Sequence, residues 1–151
     1  MDKDPGLIAP CGMNCAICSA YLARAHDLRR LGITRTYCTG CRLRDKKCAI
    51  LKKRCRLLRE GKVLFCSDCP DYPCSPLKRL DKRYRERYRM SMLENLAAIR
   101  GDGIERFLQR EQERWKCPDC GGTICCHNGI CFGCGLEKLR AKRHRYRWED
   151  E

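Results

Sequence analysis

KCPDCGGTICCHNGICFGCG, residues 116–135, holds six of the sixteen cysteines of this 151-residue chain, and its spacing decides how the chain is read. It resolves into Cys117-Pro-Asp-Cys120-Gly, an insert, and Cys131-Phe-Gly-Cys134-Gly. Each Cys-x2-Cys turn presents two sulfurs to one face of a tetrahedral ion at Zn–S about 2.3 Å, and the following glycine permits the positive φ that such a turn needs. Asn128-Gly129, between the turns, is a type I′ hairpin signal. The expectation is a zinc ribbon on Cys117, Cys120, Cys131 and Cys134. Cys125 and His127 share a strand face and Cys126 opposes it, so Cys125 and His127 are either further ligands or packed neighbours of the metal.

Composition points the same way. Cysteine far exceeds its ordinary usage, and the 43% apolar content includes it, so the aliphatic core is modest. The N-terminus MDKDPGLIAP has no basic region followed by an apolar run, and no window approaches the roughly 18 apolar residues of a membrane span. A cytoplasmic protein is expected, in a compartment where thiols stay reduced and bind metal. The formal charge of +14 suggests an acidic partner. Each zinc held by four thiolates adds −4 + 2 = −2, so three would lower the total to about +8.

Ten more cysteines lie between Cys11 and Cys74, and none between residues 75 and 116. The gap reads as a helical pair. Ser75-Pro76 starts a helix whose apolar positions run from Leu77 through Tyr84, Tyr88 and Leu96 to a stop at Gly101, and Asp102 with Glu105 starts a second along Ile104, Phe107, Leu108 and Trp115. Another helix is expected from Ser19 to Gly32. The charged tail beyond Glu137 reads as a fraying helix or a disordered arm. The fold expected is a small metal-stabilised α+β protein with a Cys-rich zinc module (1–75), the helical pair (76–115), a zinc-ribbon hairpin (116–136) and a basic tail (137–151).

In the N-terminal group, Cys15, Cys18, Cys38 and Cys41 form a second CxxC pair, and Cys48, Cys55, Cys66 and Cys69 make a third set, giving three zinc ions with Cys11 and Cys74 as extras or neighbouring ligands. The alternative is an iron–sulfur cluster, because Cys11-x3-Cys15-x2-Cys18 has the spacing of the radical S-adenosylmethionine motif and four thiolates suit iron as well as zinc. A full (β/α)8 barrel needs about 250 residues, which rules out that enzyme architecture.

Five motifs in order, IAPCGMNCAICSAYLA, CTGCR, FCSDCPDYPCSPLKRL, ENLAAIRGDGIERFL and KCPDCGGTICCHNGICFGCG, resemble the cysteine-rich domain-of-unknown-function 3795 family. The resemblance implies a bacterial or archaeal cytosolic protein presumed to bind zinc, and it supplies no activity. The interval CAILKKRC is longer than the family's usual spacing, and the tail beyond Gly135 lies outside the resemblance.

Two functional readings stand. One is a non-enzymatic zinc protein that binds nucleic acid or an acidic protein, with Arg143, Arg145, Tyr146, Arg147 and Trp148 as a basic-aromatic arm. The other is an iron–sulfur or thiol-based redox protein. His26, His127 and His144 form no pattern with a nucleophile, no glycine-rich phosphate loop is present, and a zinc site filled by four cysteines has no open position. The sequence therefore reads as a binding module ahead of an enzyme, with no membrane partner.

Overall fold

The computed structural model describes residues 1–44 and 49–149. Eight α-helices occur among them: α1 (Ser19–Ala25), α2 (Cys41–Arg44), α3 (Ala49–Arg54), α4 (Arg56–Arg59), α5 (Ser75–Tyr88), α6 (Met92–Asp102), α7 (Ile104–Arg114) and α8 (Leu136–Ala141). No helix among the described residues is long and apolar enough to cross a membrane.

The α+β expectation is corrected. Among the described residues, β structure consists of isolated antiparallel bridges, Ile8–Asn14, Lys116–Thr123 and Ile124–Cys131. The ribbon hairpin does not extend because the insert between the cysteine turns coils instead of pairing, its Asn128 and Gly129 N–H groups donating to Cys125 O at 3.4 and 2.8 Å, so that one bridge forms beside each cysteine turn. Nor is the Asn128-Gly129 turn type I′, which requires positive φ at both central residues. Of the two, only Gly129 has it, at 70°.

The single helix expected from Ser75 to Gly101 is two. Tyr88 ends α5, Arg89 turns through φ 53°, and Ser91 caps α6 by accepting the Glu94 N–H at 3.1 Å. Buried Asp81 fixes this corner by accepting from Ser91 Oγ at 2.6 Å, the Leu93 N–H at 3.1 Å and Arg85 Nε at 2.8 Å. Burial pushes its carboxyl up, but these hydrogen bonds outweigh it and hold the pKa below the usual value. The helix expected up to Gly32 stops at Ala25 and continues as turns, with Asp27 at φ 46°.

The N-terminal loop is held against this helical layer. Gly12 has φ 88°, and a Cβ there would meet Met92 O at 2.7 Å and Leu96 Cγ at 2.9 Å, so only glycine lets the Cys11–Cys15 loop lie on α6. Asn95 Nδ2 donates to Gly12 O at 2.9 Å, and Asn14 Oδ1 accepts the Ala16 N–H at 3.0 Å to start the 3₁₀ turn Cys15–Ile17. Ala16, Ile17, Leu77, Met92 and Leu96 build the main core there. A second core joins Leu22 and Leu28 to Cys125, Phe132 and Leu139, tying α1, the cysteine turns and α8 together.

Candidate metal centre

Cys117, Cys120, Cys131 and Cys134 come together as the CxxC spacing requires. Their sulfurs all lie within 4.8 Å of one another, with Cys117–Cys134 and Cys120–Cys131 at 3.6 Å. A tetrahedral ion with Zn–S about 2.3 Å has an S···S edge of about 3.8 Å, so the four thiols stand at the separation such an ion imposes. The backbone prepares the turn: Gly121 N–H donates to Cys117 O at 2.9 Å, Cys117 N–H to Gly122 O at 2.7 Å, and Gly122 N–H points at Cys120 Sγ at 3.4 Å.

The tetrad is electrostatically suited to a cation. The backbone N–H groups of Cys120 and Asp119 hold the Cys117 thiol down to about 7, while hydrogen bonds with Cys120 and Cys117 push Cys134 up to about 12. The two directions describe one coupled group: the first thiolate forms easily, and later ones meet accumulating negative charge. A divalent ion removes that obstacle and releases protons as it binds.

Cys125 and Cys126 are fully buried away from the tetrad, in the second and main cores respectively. Burial pushes the Cys125 thiol up to about 12 and Cys126 well above its ordinary value, as for inert packed thiols. His127 is also buried. Its Nδ1 accepts the Ser19 N–H at 3.2 Å, so the neutral ring carries its proton on Nε2, which lies 3.2 Å from Tyr84 Oη.

The other CxxC units meet elsewhere. Cys15, Cys18, Cys38 and Cys41 line one cavity of about 300 Å³ together with Tyr84 and His127. Among the described residues, these four do not place three sulfurs within the spacing that the C-terminal tetrad achieves. Cys11 is buried in the main core. Of the third expected set, Cys48 lies outside the described residues, Cys55 immediately precedes α4, Cys66 opens the 3₁₀ turn Cys66–Asp68 and Cys69 follows it. Cys74 caps α5.

The basic tail folds back onto the molecule. Trp148 Nε1 donates to Cys126 O at 2.8 Å, its ring lies 6.4 Å from that of Trp115, and Arg89 stacks over it at 4.2 Å. A Cβ on Gly129 would come within 2.5 Å of that ring, so glycine is needed for the contact as well as for the turn. Tyr146 sits edge-on to His127 at 5.6 Å. Arg143, Arg145 and Arg147 face solvent. Sequence reasoning missed this clasp, and the sole local signal was Asn128-Gly129, read as a hairpin.

No curated protein and no solved structure matches the chain. Residues 7–79, just under half of it, match the model of a family described as "Protein of unknown function (DUF3795)", which supports the family resemblance for the N-terminal cysteine module and the start of α5 and leaves the C-terminal tetrad outside the match.

Proposed function

We propose that the protein is a non-enzymatic zinc module that uses a basic face to hold single-stranded nucleic acid. Zinc at Cys117, Cys120, Cys131 and Cys134 is a closed four-thiolate site, which serves folding and has no position for substrate or a reactive water. With this one ion the formal charge is 14 − 2 = +12, still strongly positive.

The observation that carries the reading is the junction of two cationic segments. The Arg89–Trp148 stack and the Tyr146–His127 contact lay the tail along the end of α5. Exposed Arg83, Arg85, Arg87 and Arg89 are thereby joined to Arg143, Arg145 and Arg147, with exposed Tyr146 among them. Arginines neutralise phosphates, and an exposed ring beside them offers a surface on which a base can stack. That ring favours nucleic acid over an acidic protein.

Anisotropy titrations of the full chain with a single-stranded oligonucleotide test this. Affinity should fall with salt at a log–log slope of about −0.7 per neutralised phosphate. The double reversal Arg87→Glu with Arg145→Glu should weaken binding at least tenfold more than Arg59→Glu with Arg56→Glu on α4, which makes the same charge change outside α5 and the tail. Equal losses from both pairs would reduce the interaction to bulk charge. Absence of binding at moderate salt would move the reading to an acidic protein partner.

A further inference from the structure

The chain contains two four-cysteine sets built from CxxC pairs, and they differ in geometry. The C-terminal sulfurs close to the edges of one tetrahedron, whereas Cys15, Cys18, Cys38 and Cys41 line a cavity of about 300 Å³ in which the Cys15 and Cys41 thiols are hydrogen-bonded to each other but no three sulfurs come as close as in the C-terminal set. A single ion draws four sulfurs onto one centre. A cluster shares its four thiolates among two or more irons, so two sulfurs can meet at one iron while all four need not meet at one centre, and the inorganic core fills the volume between them.

Three further features fit that second case. Backbone N–H groups point at the sulfurs, Cys41 N–H to Cys15 Sγ at 3.3 Å and Gly40 N–H to Cys38 Sγ at 3.4 Å, and such donors stabilise cluster thiolates and set their potential. Cys15 and Cys38 are buried, and Cys18 and Cys41 half-buried, so the four sulfurs are largely withdrawn from water. Its wall is polar and organised on one side: the Ser19 N–H fixes His127, and His127 in turn engages Tyr84.

We infer that Cys15, Cys18, Cys38 and Cys41 hold an iron–sulfur cluster in this cavity, distinct from the zinc at Cys117, Cys120, Cys131 and Cys134. The cluster bonds through four thiolates, and the four thiol protons go to bulk water as the Fe–S bonds form. Cys11, first in the C-x3-C-x2-C run, packs in the core, and the second CxxC unit supplies the remaining two sulfurs.

The test uses the full chain purified without oxygen and reconstituted with ferrous iron, ferric iron and sulfide. It should gain iron and acid-labile sulfide in equal number and a broad visible charge-transfer band, which dithionite bleaches, while its zinc is retained. Cys38→Ser and the half-buried Cys41→Ser should each lose the band and keep zinc. Cys120→Ser should lose zinc and keep the band. Helical circular dichroism identifies any variant that has simply unfolded, and the two cavity variants differ in burial, so at least one reports on the site. A colourless protein carrying a second zinc that Cys41→Ser removes would overturn the inference, as would a band that persists in both cavity variants.

Discussion

Trp148→Ala separates an internal clasp from a mobile arm. The indole N–H donates at 2.8 Å to the carbonyl of fully buried Cys126, and deleting it leaves that oxygen unpaired at a cost of about 1 kcal/mol. Truncating a fully buried Trp to Ala costs about 3–5 kcal/mol, and the half-buried ring here about half of that, about 2 kcal/mol. The Arg89 stack adds about 0.5 kcal/mol at an exposed site. The total of about 3.5 kcal/mol corresponds to a fall in Tm of about 10 °C for a chain of this size. Thermal unfolding followed by circular dichroism measures it, and metal content should not change because Trp148 is no ligand. Trp148→Phe should recover part of the loss through ring packing without the hydrogen bond. A Tm within about 2 °C of the parent for Trp148→Ala would refute the clasp and return the tail to a solvated arm.

Glu111 is buried, and burial pushes its carboxyl up, though Asn14 Nδ2 at 3.2 Å and Arg114 draw it down. Since its folded pKa lies above the unfolded value of 4.5, the folded chain binds the extra proton, and stability from this group is lost as pH rises through the folded pKa. Glu111→Gln should therefore raise Tm at neutral pH relative to the parent and lose that advantage below about pH 4; a variant less stable than the parent at neutral pH would contradict this. Gly12→Ala should destabilise by about 3 kcal/mol or more, because the added methyl meets the Met92 carbonyl and the φ of 88° disfavours any other residue. Urea unfolding reads that change, and a shift under about 1 kcal/mol would show that the loop gives way.

What could be read in the sequence was the chemistry held in short spacing. Cys117, Cys120, Cys131 and Cys134 were legible because a CxxC turn positions its own two sulfurs, and only one pairing of such turns lies in that stretch. The strand content was over-read, since alternation and an Asn-Gly pair resemble a hairpin even where residues 125–129 coil into a turn on the Cys125 carbonyl. The break between α5 and α6 was hidden because Tyr84, Tyr88, Met92 and Leu96 keep helical spacing across it. The Ser91 cap and its hydrogen bond to Asp81 carry no hydrophobic signature. Trp148 was misread for another reason: its partners, Cys126 O, Gly129 and Arg89, are distant in sequence, and nothing local to KRHRYRW announces them.

Metal analysis of two purified variants tests the proposed zinc ion on the C-terminal tetrad. Cys134→Ser should lose one zinc per chain relative to the parent, because its sulfur completes the tetrahedron 3.6 Å from that of Cys117. Cys125→Ser, only a few residues from the ligand Cys131 in sequence but fully buried in the second core, should keep its full complement if it folds. Zinc retained in full by Cys134→Ser, or a parent protein that binds none, would rule out zinc at this tetrad.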